Sequence, residues 1–176
     1  MGSCAAPSAK GDDKFITTDY LQQCRFLIAA VELLTEAVNI LVLQVFRKDD
    51  YAVKYAVEPL LDGSGPLGDL SVRLKLIYGL GVISRHEYED AELLMALREE
   101  LNHDGSEYAF TDDEILGPLG ELHCVSALPP APLFDDSDAD LLAMQKQRYQ
   151  QVVRSTMVLS LTELISRISL KKAFQK

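Results

Sequence analysis

Apolar residues fill Phe26 to Phe46, FLIAAVELLTEAVNILVLQVF, almost without a break. The stretch has 21 residues, enough at about 1.5 Å of rise each to cross a bilayer as a helix. Two acids decide against that. Glu32 and Glu36 stand in its middle, and each ionised acid near a bilayer centre costs roughly 2.5–3.5 kcal/mol. At about 100° per residue, Arg25, Glu32, Glu36 and Asn39 fall on one narrow stripe with Thr35 beside it, while the remaining circumference is aliphatic or aromatic. The pattern predicts the central helix of a water-soluble bundle. Other helices cover its apolar faces, and its polar stripe reaches water or an internal partner such as an arginine.

The same reading orders the rest of the chain. Residues 1–16, with Pro7 and Gly11, form a disordered or tag-like arm, and Thr17 or Thr18 caps the first helix, which runs to about Phe46. Asp49 or Asp50 caps a second helix, about Tyr51 to Leu61, stopped by Pro59 and Gly63. A turn from Asp62 to Pro66 leads into a third, with Leu67, Leu70, Leu74, Ile77 and Tyr78 at helical spacing and Gly79 and Gly81 at its end. Two capping boxes with hydrophobic staples follow: Ser84 to Glu87 between Ile83 and Tyr88, and Thr111 to Glu114 between Phe110 and Ile115. They predict a fourth helix, about Arg85 to Leu101, and a short fifth ending near His123. Leu128-Pro129-Pro130-Ala131-Pro132 reads as an extended connection. Ser137 or Asp138 caps a long last helix, Asp140 to about Phe174, with apolar positions at Leu141, Tyr149, Val153, Met157, Leu161, Leu164, Ile165 and Ile168. No period-2 stretch competes. The expected fold is all-α, one domain over 17–176: a bundle of about six helices around a long first and a long C-terminal helix.

Charge changes this picture more than composition does. At 176 residues and 48% hydrophobic the chain is globular, and its net charge is −10. Between Glu87 and Glu114 there are eleven acids and one base, Arg98, which leaves sixteen of each sign in the rest of the chain. One segment therefore carries the whole imbalance. It repels phosphates and attracts a basic protein surface. Three cysteines, Cys4, Cys24 and Cys124, without CxxC spacing suit a reduced cytoplasm and give neither a disulfide framework nor a zinc site. The N-terminus lacks a basic region and an apolar run, so no secretory signal is expected, and Ala6 stands where myristoylation asks for serine or threonine.

Several motifs dissolve on inspection. Gly63 to Gly68 matches GxGxxG, yet a helix precedes it, Pro66 lacks an N–H, and Asp62 and Asp69 flank it, so a helix-to-helix turn is expected. Asp136 to Asp140 imitates a calcium loop, but Leu141 stands where glycine is needed and Gln147 where a bidentate glutamate is needed. His86, His103 and His123 have no metal-ligand spacing, and adjacent His123 and Cys124 point to different sides of a helix. Leu70 to Tyr78 followed by Ser84 to Arg98 has helix-turn-helix spacing, but its second helix would present Glu87, Glu89, Asp90 and Glu92 to phosphates. No catalytic, cofactor or metal constellation emerges.

Ala30 to Gly63, Gly65 to Arg85 and Leu159 to Lys176, including YAVEPLL at Tyr55 to Leu61 and GPLGD at Gly65 to Asp69, closely resemble the enterobacterial mannitol repressor family. The resemblance covers about Leu27 to Lys176, and the arm before about Cys24 departs from it. It implies an all-helical regulator that lowers expression of the mannitol phosphotransferase operon without a recognised DNA-binding motif, a catalytic residue or a metal. The phosphotransferase setting suggests the phosphocarrier protein as a partner, one that docks through an apolar patch edged by basic residues. The expected function is thus a cytoplasmic repressor that reaches DNA indirectly, binding the phosphocarrier protein or another basic protein through Glu87, Glu89, Asp90, Glu92, Glu114 and Glu121. A first alternative binds operator DNA through a basic face, assembled on oligomerisation from Arg148, Arg154, Arg167, Lys171 and Lys172. A second is a ligand-binding or enzymatic bundle using Arg25, Glu32 and Glu36.

Overall fold

The computed structural model describes the backbone of residues 13–46, 48–104, 111–131 and 139–172, and their side chains except at 13–24, 102–104, 114 and 139. The first helix, α1 (Asp13–Val45), begins before the expected cap at Thr17 or Thr18, so those threonines lie inside it. Gly11 is the last breaker before it, and an acid at Asp13 suits the positive end of a helix dipole. The expected arm lies outside the described residues only for 1–12.

Three helices pack around α1: α4 (Leu70–Gly79), α5 (Arg85–Asp104) and α7 (Ala139–Leu170). Leu27, Leu34, Val38, Leu41 and Val42 of α1 are buried to 2% exposure or less, and they join Leu74 and Ile77 of α4 and Ala91 and Leu94 of α5 in one core. Arg25–Val45 is long and apolar enough to cross a membrane, with a mean hydropathy of 2.1, but these neighbours occupy its main face. Glu32 and Glu36 point to water on the opposite side, as expected. Leu33, Ile40 and Leu43 share that side and are about half exposed, so the aliphatic circumference is covered less completely than the pattern predicts.

Between α1 and α4 the chain makes one bent helical rod: α2 (Asp50–Ala52), a π-helical turn (Val53–Val57) and α3 (Glu58–Leu61). Counted once, it makes six helices among the described residues. Asp49 caps the rod by accepting from the Ala52 N–H at 2.9 Å. Pro59 accounts for the wide turn. Its ring would crowd the carbonyl of Tyr55, and bonding Glu58 N–H to the Val53 carbonyl, five residues back, opens the space.

The glycines of the GxGxxG match serve close approach between backbone segments. A Cβ at Gly65 would stand 2.6 Å from the Leu60 carbonyl oxygen, and one at Gly68 2.6 Å from that of Asp62. Asp69 then caps α4 by accepting from Ser71 N–H at 3.0 Å, which leaves Leu67 in the turn and not in the helix as expected. Arg73 closes this loop onto α1. Its guanidinium donates to the carbonyls of Leu67, Leu61 and Gly68 and to the side-chain oxygen of Asn39, giving the polar stripe of α1 its internal arginine. Gly81, at φ 73°, turns the chain out of α4 in a conformation that favours glycine.

The long α7 lays Val153, Met157, Leu161, Leu164 and Ile168 into the core, while Leu141, expected on the same face, is exposed. It ends at Leu170; the expected cap at Ser137 or Asp138, the calcium-like run up to Asp138, and Phe174 lie outside the described residues. Pro129 and Pro130 run without helix beside it and take a hydrogen bond from the Tyr149 hydroxyl at 3.4 Å on the Pro129 carbonyl.

Arg73 supplies the testable point of this architecture. Arg73→Met should cost about 1–3 kcal/mol in urea denaturation, because three carbonyls and Asn39 lose a charged donor. Arg73→Lys should recover little, since an ammonium cannot span that fork.

Candidate functional site

The acidic segment begins at the capping box. Ser84 and Glu87 form it in both directions: Ser84 N–H donates to Glu87 Oε2 at 2.7 Å, and Glu87 N–H donates to Ser84 Oγ at 3.3 Å. The same Oε2 takes Lys171 Nζ at 2.5 Å, which ties the end of α7 to the start of α5. Burial alone would push the Glu87 carboxyl up; the hydrogen bonds from Lys171 and Ser84 outweigh it and hold the group below its ordinary range. Glu87 is 8% exposed, so the expectation that it faces a partner is corrected: it caps and ties helices.

Asp90 is corrected in the same way and more strongly. One helical turn after Glu87 it faces inward, 2% exposed, and holds the chain that follows α6 (Asp113–Gly120). Its Oδ1 accepts from His123 N–H at 2.7 Å and its Oδ2 from Cys124 N–H at 2.9 Å, with His123 Nδ1 3.0 Å from Oδ1. His123 and Cys124 therefore sit in a turn beyond α6, not on a helix as expected. Burial and the Asp90 carboxylate push the half-buried Cys124 thiol up to about 12, which makes it a poor nucleophile. The Thr111 box is also corrected. Asp112 takes the N-cap position one residue later, without a side-chain cap bond, and its carbonyl accepts from Ile115 and Leu116. Glu114 lies on α6 with its side chain outside the described set.

What remains at the surface is a narrower rim. Glu89, 35% exposed, pairs with Arg85 at 2.7 Å and has its other oxygen 3.6 Å from His123 Nε2. Glu121 is exposed, though as the C-cap of α6 and not on its flank. Glu92 is half-buried and accepts from the Tyr88 hydroxyl, a bond that, with burial, pushes that phenol up to about 12. Tyr88 stacks on Tyr78 with centroids 4.6 Å apart, and Tyr78 and Leu80 are partly exposed beside the start of α5. Sequence reasoning missed one feature here. His86 and His123 stack at 4.2 Å and 6°, although 37 residues separate them and no spacing rule links them.

The other candidates do not assemble. At about 100° per residue Arg148 and Arg154 lie about 120° apart around α7. Arg167 is paired with Glu163 at 2.6 Å and Lys171 with Glu87, while Lys172 is exposed beyond the helix, so these five cations make no single basic face within one chain. Arg25, Glu32 and Glu36 are exposed on α1, and a cleft of about 290 Å³ between Pro129, Pro130 and Arg148, Tyr149 and Val152 is lined by other residues. Among the described residues no group of three or more histidine, cysteine, aspartate or glutamate side chains is placed to hold a metal.

The family model described as "MtlR: Mannitol repressor" matches residues 18–169 of the chain. The chain is 87% identical over 151 residues to the mannitol operon repressor of Escherichia coli K12, covering 86% of this chain and 77% of that protein. It is 29% identical over 125 residues to fumarase E of the same strain, covering 69% and 73%. Among solved structures, a chain of the MtlR–HPr complex from Escherichia coli matches with a TM-score of 0.79 and 78% identity, over 89% of this chain and 99% of that one.

Two substitutions separate structure from surface. Asp90→Asn should cost about 1–3 kcal/mol in urea denaturation, because an amide can replace only one of the two carboxylate acceptors. Glu87 has a pH signature. Its lowered value means that its contribution is full above the ordinary carboxylate range and is lost as pH falls through the folded value. The stability gap between the wild type and Glu87→Gln should therefore be open near pH 7 and shrink as pH falls below the ordinary carboxylate range.

Proposed function

The chain belongs to the mannitol repressor family, and from that premise we infer that it is a transcriptional repressor of the mannitol operon acting through contacts with other proteins. The likeness to the Escherichia coli mannitol operon repressor, at 87% identity, carries this reading. The family's solved complex with HPr, the phosphocarrier protein of the phosphotransferase system, supplies the partner. Such a regulator works beside the operon, in the cytoplasm.

The docking surface we assign is the rim of Glu89, Glu92 and Glu121. Tyr78 and Leu80 supply apolar surface next to it. Opposite charge of this kind raises the association rate and sets orientation, while the apolar groups supply burial. Direct DNA binding is disfavoured by the same acids, because the first turns of α5, which occupies the recognition-helix position, would meet phosphates with carboxylates. The isolated chain should therefore show no specific promoter complex in a gel shift at physiological salt; a complex at about 10⁻⁸ M or tighter would overturn this.

An enzymatic reading draws on the 29% identity to fumarase E. We assign no enzymatic activity to this chain: the Cys124 thiol is held protonated, and the Arg25, Glu32 and Glu36 stripe lies open to water. Incubation of the purified chain with fumarate or malate, followed by ultraviolet absorbance, should show no turnover.

Reversing Glu89 and Glu121 to lysine together should leave the helical circular dichroism unchanged and weaken HPr binding at least about tenfold by calorimetry. The residual binding should depend less on salt. Unchanged affinity would place the docking surface elsewhere.

A further inference from the structure

The stacked imidazoles of His86 and His123 lie at the rim of Glu89 and Glu121, and any regulatory role for them rests on that rim being the docking surface. A carboxylate only accepts, so the Asp90 oxygen 3.0 Å from His123 Nδ1 orients a proton onto that nitrogen. In the neutral ring Nε2 is then a lone pair facing the Glu89 oxygen at 3.6 Å. No hydrogen bond can join them until Nε2 is protonated. The other oxygen of Glu89 is held by Arg85 at 2.7 Å, so a protonated His123 would complete a bridge from Asp90 through the ring to Glu89 and Arg85. His86 lies flat against the same ring at 4.2 Å, close enough that charge on one imidazole is felt by the other.

Among the described residues, the charged and titratable groups on this side are Arg85, His86, Glu89 and Asp90 from α5 and, from the connection after α6, Glu121 and the Cys124 thiol. Arg167 of α7, felt at Cys124, and Lys171 just past its end are cations on this side, engaged by Glu163 and Glu87 respectively. We propose that His123 is a proton sensor of the docking surface: when protonated it draws Glu89 into an internal bridge and adds positive charge to the rim, so that a basic partner can bind only by expelling that proton. Partner binding and protonation then exclude each other, and affinity falls as pH falls.

The test uses the full chain and HPr in calorimetry at pH 6, 7 and 8, in buffers of different ionisation enthalpy, with the wild type and His123→Asn. Asparagine keeps a donor near the Nδ1 position, and circular dichroism confirms the fold. The partner's own titration is common to both and cancels. The wild type should lose about three- to tenfold more affinity than His123→Asn between pH 8 and pH 6, and should release up to one more proton on binding. A second readout needs no partner. In the free protein, Glu89→Gln should lower the NMR titration midpoint of His123, because it removes the acceptor that faces Nε2. Equal pH slopes and an unmoved midpoint would overturn the proposal. A moved midpoint with an HPr affinity indifferent to Glu89→Gln would overturn the docking surface itself, and with it the regulatory role, while leaving the proton coupling as a measured property of the rim.

Discussion

Asp90 gives up water to enter the core, and the backbone N–H groups of His123 and Cys124 replace it. Burying a carboxylate is costly unless every acceptor position is used, and here one side chain satisfies two donors of a turn that has no helix to satisfy them. The consequence is architectural. The chain leaving α6 has no regular secondary structure from Glu121 to Pro130, so its placement against α5 depends on this clamp and on the burial of Leu122 and Val125. His123 is thereby held over His86, and the path toward α7 is set. A surface that looks like a simple accumulation of acids is thus divided, within one helical turn, into a tie to α7 at Glu87, a surface acid at Glu89 and a clamp at Asp90.

The second constraint is the length of α1. A helix this apolar needs neighbours, and the chain provides them in α4, α5 and α7. The return of α4 depends on a loop too tight for side chains at Gly65 and Gly68, pinned by one arginine whose donors face three carbonyls and Asn39. Asn39 thus links the polar stripe of the central helix to the loop that brings its neighbour back. Glu32 and Glu36, on the open side of the same stripe, have only to remain in water.

Legibility followed sequence distance. The Ser84 box, the Asp49 cap, the Gly79 and Gly81 stop and the inward face of α7 from Val153 to Ile168 are local patterns, and each stands where its residues predict, whereas Leu141 of the same pattern is exposed. Family resemblance in Ala30 to Arg85 and in the tail agrees with the wider comparisons, and the all-α bundle follows from both. The failures are of two kinds. Pro59 reads as a helix breaker, but the chain absorbs it by widening one turn, with Glu58 N–H bonded to the Val53 carbonyl. Asp90 looked identical to Glu89 in sequence, because its partners lie 33 and 34 residues away and are backbone groups, which carry no signature. No count of charges could have separated those two neighbours.

That separation bears on how such a surface should be probed. On the docking surface proposed above, replacing Asp90 would weaken partner binding as replacing Glu89 would, but by releasing the turn that carries His123, so a scan of the acids read only through affinity would enlarge the docking site with buried residues. Stability distinguishes the two. A rim acid at 35% exposure, paired with a neighbour on its own helix, contributes little to folding, whereas a buried acceptor of two backbone donors contributes substantially. The acids whose loss weakens binding while leaving the denaturation midpoint in place are the ones that face the partner; burial puts Glu87 and Asp90 outside that class, and exposure leaves Glu89 and Glu121 as the acids to test.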